Sequence, residues 1–133
     1  KARIAPVGSV LVTCIAGSPQ SIGKCSLLDR EVAFNQQINA IFPSVKVHPT
    51  FLWAQLNAAP DLVRAKSTGG MKGLVNKSSF QSVKIMLPPV DEQREFSNRA
   101  DSVLRQKLLA HRLFRLDDQL LASLQSRAFK GEL

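Results

Sequence analysis

The chain has 133 residues, 44% hydrophobic and 21% charged, which is enough apolar material for one buried core and excludes a disordered chain. Eighteen Lys and Arg against ten Asp and Glu give a net charge of +8, which points to a polyanionic partner, nucleic acid before a membrane surface. One Trp and no Tyr argue against a reader that stacks single-stranded bases on aromatics, and two cysteines exclude a disulfide-dense scaffold or a four-thiolate zinc site.

Residues 4–23 carry no charge, but Pro6, Gly8, Thr13, Gly17 and Pro19 interrupt them, so they fall short of the roughly 20 apolar residues of a membrane span. The chain opens on Lys1 rather than Met and reads as a piece of something longer. Short runs rich in β-branched residues at 10–15, 25–28, 32–34, 38–42 and 83–87, separated by Gly, Pro, Ser and Asp, predict strands. Phe51, Leu52, Gln55 and Leu56 recur at helical spacing, with Pro49 before them, Thr50 as the candidate cap and Pro60 as the stop. A short second helix follows over 61–65. From Asp91 to Ala128 there is neither Gly nor Pro, so one long helix is expected, with Asp91 and Glu92 in its first turn and Arg127, Lys130 and Gly131 at its end. Phe96, Ala100, Val103, Leu104, Leu109, Leu113, Leu116, Leu120 and Leu124 form its apolar stripe. Such a helix outreaches a small domain, so a partner helix is expected to cover part of the stripe. The fold class is α+β: a strand-rich part over 1–90, then one long C-terminal coiled-coil helix over 91–133.

Charge divides at the same place. Residues 1–90 hold ten basic and three acidic side chains, whereas residues 91–133 hold eight and seven. The first part thus suits a polyanion, the second assembly. The segment from Arg64 through Lys66, Ser67, Thr68, Gly69, Gly70, Lys72 and Asn76 to Lys77 has four basic residues, three glycines and no acid. Lys and Arg can neutralise phosphates, Ser, Thr and Asn can reach phosphates or base edges, and glycine lets the backbone approach closely. A plain surface loop is the other reading. The stretch from Gly17 to Lys24 lacks the spacing of a nucleotide-binding phosphate loop and is expected to be a tight connection between strands that offers amides and Lys24 to a phosphate. Asn35, Gln36, Gln37 and Asn39 could read adenine or satisfy backbone at a strand junction. His48 and His111 have no Cys or carboxylate at ligand spacing, so neither a metal site nor nucleophilic catalysis is expected.

Taken in order, Gly8-Ser-Val-Leu-Val, Ser21-Ile-Gly-Lys24, Phe34-Asn-Gln-Gln-Ile38, the helix with Phe51-Leu52, Gly69-Gly70, Leu87-Pro-Pro-Val-Asp-Glu-Gln93 and Ala128-Phe-Lys-Gly-Glu-Leu133 resemble a specificity subunit of a type I restriction–modification enzyme. The stretch around Pro19-Gln20 is longer than the commonest Gly-Ser-Ile-Gly form of that family. The resemblance implies a target-recognition domain followed by a helical spacer, with one of each present here. It implies a non-catalytic subunit that reads one half of a bipartite site in double-stranded DNA and docks methyltransferase and restriction subunits. A second copy or second spacer helix would pair through a coiled coil. S-adenosylmethionine is expected on the methyltransferase subunits, no cofactor in this chain, and a cytoplasmic location without membrane contact. The candidate DNA-binding residues are Lys24, Arg64, Lys66, Ser67, Thr68, Lys72, Asn76 and Lys77. The helix-pairing candidates are Phe96, Val103, Leu109, Leu113, Leu116, Leu120 and Leu124. The competing expectation is an adaptor whose long helix recruits a protein partner and whose basic charge is incidental.

Overall fold

The computed structural model describes residues 3–68 and 73–132. Among the described residues there are seven short strands: β1 (Arg3–Ala5), β2 (Val10–Thr13), β3 (Ile15–Ala16), β4 (Cys25–Leu27), β5 (Val32–Phe34), β6 (Ile38–Ile41) and β7 (Gly73–Leu74). Helices α1 (Pro49–Ala58) and α2 (Asp61–Arg64) lie between β6 and β7, and α3 (Lys77–Gln81) and α4 (Val90–Phe129) follow. The architecture is α+β, with every strand pair antiparallel.

β2 is central, flanked by β4 and β6, while β1 pairs with β5 and β3 with β7. The alternation of β2 explains its position. Val10, Val12 and then Cys14 point into the core at no more than 1% exposure, and the residues between them face outward. Leu52 and Leu56, four apart on α1, close over that face, and Ile22, Val63 and Val75 complete the cluster. Burying each such side chain contributes about 1.5–3 kcal/mol.

The strand expected over residues 10–15 is broken at Cys14. The Gln37 carbonyl accepts from both the Cys14 N–H at 2.8 Å and the Ile15 N–H at 3.1 Å, so two residues face one and the chain bends between β2 and β3. Residues 83–87 correct the reading more sharply, because none of them pairs as a strand with any described residue. Instead, the Met86 N–H donates to Gln55 Oε1 at 2.9 Å and the Met86 carbonyl accepts from Gln55 Nε2 at 3.3 Å. A helix side chain thus meets the backbone needs of this apolar run, and Pro88-Pro89 cannot donate to a ladder. Nor is Thr50 the cap of α1: His48 holds that position, Pro49 is the first helical residue and Thr50 is buried. β1, β7, α3 and the 3-10 turn Pro19–Ser21 lie outside the sequence reading. Among the described residues no helix is long and apolar enough to cross a membrane.

By internal contacts the chain separates into a unit through Ser97 and a unit from Asn98 onward. The first two turns of α4 belong to the strand-rich unit. Gln93 and Ser97 there have no exposure. Gln93 Oε1 accepts from the His48 N–H at 2.8 Å, and its Nε2 donates to the carbonyls of Pro88 at 2.8 Å and Lys46 at 3.2 Å. The Phe96 ring meets Phe51 edge-on, with centroids 5.6 Å apart, so part of its apolar surface is covered by its own unit. In the second unit, Leu108, Leu109, Leu113, Phe114, Leu120 and Leu121 are all more than half exposed.

Candidate nucleic-acid interface

β3 and β7 run antiparallel with Ala16 opposite Gly73, so the end of β3, from which the turn to β4 departs, lies beside the start of β7. This register brings together two stretches that are some 50 residues apart in sequence. Arg64 joins them. Its Nε donates to the Ile22 carbonyl and its Nη2 to the Gln20 carbonyl, both at 3.0 Å, while Nη1 lies 2.9 Å from Asp61 Oδ1. The planar fork thus spans the turn and α2. Gly23 has φ +82° and packs so tightly that an added Cβ would lie 2.5 Å from the Pro60 carbonyl oxygen, which excludes other residues on both counts. A Cβ on Gly73 would meet Ile22 at 2.7 Å, so β7 also depends on a missing side chain to reach the turn.

The other candidates divide by position. Lys66 is half-buried and lines a cavity of about 520 Å³ with Ala58, Ala59, Asp61, Leu62, Ala65 and Lys84. Lys84 thus brings a second lysine to Lys66, a pairing with no signal in the sequence because Lys84 stands alone in an apolar run. Ser67 Oγ donates to the Leu74 carbonyl at 3.2 Å and accepts from the Leu74 N–H at 3.1 Å, and Thr68 Oγ1 donates to the same carbonyl at 3.3 Å. Both hydroxyls therefore close the loop onto β7. Asn76 caps α3: its Oδ1 accepts from the Ser79 N–H at 2.8 Å and from Ser78 Oγ at 2.7 Å. Lys24 is exposed just before β4, its carbonyl accepting from the Thr13 N–H at 2.9 Å. Lys77 begins α3 and lines a groove of about 400 Å³ with Asn39, Phe42, Leu56 and Phe80, beside β6. Since β4 and β6 flank β2 on opposite sides, Lys24 and Lys77 stand at opposite edges of that sheet. Lys72, Gly69 and Gly70 lie outside the described residues.

Asn35 Oδ1 accepts from the Gln37 N–H at 3.0 Å, so the Asn35 amide satisfies backbone at a strand junction, whereas Gln37 forms the bend at Cys14 through its backbone carbonyl. Burial pushes the Cys14 thiol above its ordinary value, against a smaller opposing effect of hydrogen bonds from Asn39, and burial raises Cys25 too. Among the described residues, no three His, Cys, Asp or Glu side chains gather at metal-binding distance.

Arg64, Gly23 and Gly73 thus brace the turn between β3 and β4. The specificity subunit of the EcoKI type I restriction enzyme of Escherichia coli K12 is 27% identical over 146 residues, covering 95% of this chain and 30% of that protein. Two solved structures share the fold. A chain from work on the complex assembly and conformational transition of the type I R-M system gives a TM-score of 0.70 at 22% identity, covering 98% of this chain and 33% of its own length. The HsdS subunit from Thermoanaerobacter tengcongensis gives 0.60 at 23%, covering 98% and 31%. The chain thus spans about a third of the length of these relatives. Residues 1–127 match the family described as the type I restriction modification DNA specificity domain, and the chain belongs to that family.

Proposed function

We propose that this chain is the recognition part of a type I restriction–modification specificity subunit: it reads one half of a bipartite duplex site and carries out no chemistry itself. The observation that carries the reading is the bracing of the turn between β3 and β4 by Arg64, within residues 1–90, which hold ten basic and only three acidic side chains. Asp61, one of those acids, is already paired with Arg64. In this reading Lys24, Lys66, Lys72 and Lys77 contact phosphates, and Ser67, Thr68 and Asn76 shape the loops that present them. Arg64 holds the frame, since its guanidinium is committed to Gln20, Ile22 and Asp61.

Residues 1–90 act as the recognition domain and residues 91–133 as the spacer. The apolar residues of the spacer pair with a second spacer helix, from the same subunit or from a second copy. Methyltransferase and restriction subunits assemble on this frame, S-adenosylmethionine is bound by the methyltransferase, and the complex works on DNA in the cytoplasm.

The test is duplex binding at several salt concentrations, by the chain alone and assembled with its methyltransferase. Lys24→Ala, Lys66→Ala and Lys77→Ala are each expected to lower the slope of log affinity against log salt by about 0.9 and to weaken binding to every sequence alike. If all three leave both affinity and slope unchanged, these lysines do not contact DNA.

A further inference from the structure

Ser18, Pro19 and Gln20 are exposed in the turn between β3 and β4, yet the turn is held more firmly than an exposed turn requires. Two of the Arg64 nitrogens bind the carbonyls of Gln20 and Ile22, on either side of Ser21. Pro19 fixes one backbone angle at the start of the 3-10 turn, and the Ser21 N–H closes it onto the Ser18 carbonyl at 3.0 Å. Beneath it, the close approaches of Gly23 to Pro60 and Gly73 to Ile22 leave the base of the turn no room to shift. An unconstrained surface turn gains nothing from a three-point arginine brace, whereas a reading element does, because its ordering cost is met before the ligand arrives.

The tip also has an oriented chemical group. Ser18 Oγ donates to Gln20 Oε1, which fixes the direction of the amide, and Gln20 Nε2 has no partner among the described residues. An outward amide, with one oxygen lone pair and its N–H groups available, matches the paired acceptor and donor that adenine shows in the major groove, N7 and N6–H₂. We infer that Gln20 is a specificity-determining residue that reads an A·T pair in the major groove, and that Arg64 positions it without touching DNA. This rests on the recognition role proposed above and adds to it the residue and the base.

The experiment selects bound duplexes from a randomised pool and compares wild type with Gln20→Ala, Arg64→Ala and Arg64→Lys, each also titrated with salt. Gln20→Ala removes only an exposed side chain. It is expected to reduce the adenine preference at one position by about ten- to a hundredfold, with the other positions and the salt slope unchanged. Arg64→Ala should weaken the preference at that same position, again without the change of about 0.9 in slope that losing a phosphate contact brings, and Arg64→Lys should not restore it because an ammonium cannot span three acceptors. A Gln20→Ala variant that keeps every wild-type preference overturns the assignment of Gln20, even if Arg64→Ala does not fold. A fall of about 0.9 in slope with preference intact makes Arg64 a phosphate ligand and overturns its positioning role. If the wild type selects no sequence at all while still binding duplex, the recognition reading itself fails.

Discussion

Gln93 is buried without exposure, yet it is polar, and its amide explains why. It meets one N–H and two carbonyls, from His48, Lys46 and Pro88, that would otherwise lack partners where the loop before α1 passes the start of α4. Replacing it with Ala removes all three hydrogen bonds at once. Gln93→Ala is expected to destabilise the strand-rich unit by about 2–4 kcal/mol. At about 4–8 °C per kcal/mol for a unit of this size, thermal denaturation followed by near-ultraviolet circular dichroism of Trp53 would register it clearly. The motif Leu87-Pro-Pro-Val-Asp-Glu-Gln93 was visible in the sequence as a marker of resemblance. Its physical purpose was not, because the three groups Gln93 satisfies include two that lie 45 and 47 residues away. Arg64 is similar. Its charge made it a candidate phosphate ligand, and only the positions of Gln20 and Ile22, more than 40 residues earlier, reveal that its donors face inward.

Elements that satisfy their own periodicity were legible, and those that depend on a distant partner were not. β2, β4, β5 and β6 carry β-branched residues between turn signals, and α1, α2 and α4 carry helical spacing with stops, so each appeared within a residue or two of its bounds. β7 has two residues and exists only because β3 lies beside it, and residues 83–87 fail as a strand because Gln55 takes their hydrogen bonds. α4 shows the same division along its length. Its 40 residues span about 60 Å. The stripe through Leu109, Leu113, Leu116, Leu120 and Leu124 was read correctly as apolar, but Leu108, Phe114 and Leu121 widen it beyond what a single narrow seam needs. Pairing by another helix should therefore be sensitive to charge in the middle of that row. Leu113→Glu with Leu120→Glu is expected to abolish self-association in sedimentation equilibrium while helical circular dichroism of the strand-rich unit persists. A monomeric wild type with a stable distal helix would remove the pairing role.

At the scale of the molecule, the strand-rich unit through Ser97 has a closed core, whereas the distal helix has none of its own. Local stability should follow that difference. Limited trypsin digestion of the chain is expected to cut at Arg105, Lys107, Arg112 and Arg115 before any site in β2, β4 or β6. A partner helix that covers the apolar face should protect those four sites. Equal cleavage of both units at early times would contradict the division. Charge divides earlier than the core does: ten basic and three acidic residues precede α4, whereas the first two turns of α4, which belong to the unit with the core, add one basic and three acidic residues.

The sequence by itself determined β2, β4 to β6, α1, α2 and the long helix, the basic character of the first part and the family resemblance, because periodicity, Gly and Pro placement, charge and motif order are properties of neighbouring residues. Tertiary structure alone decided that Arg64 braces the turn after β3, that Lys24 and Lys77 stand at opposite edges of a sheet, and that Ser67, Thr68 and Asn76 turn their polar groups to the backbone. Those outcomes rest on pairings across tens of residues, where the winning partner is the one whose hydrogen-bonding groups would otherwise be buried unsatisfied. No local pattern records that competition.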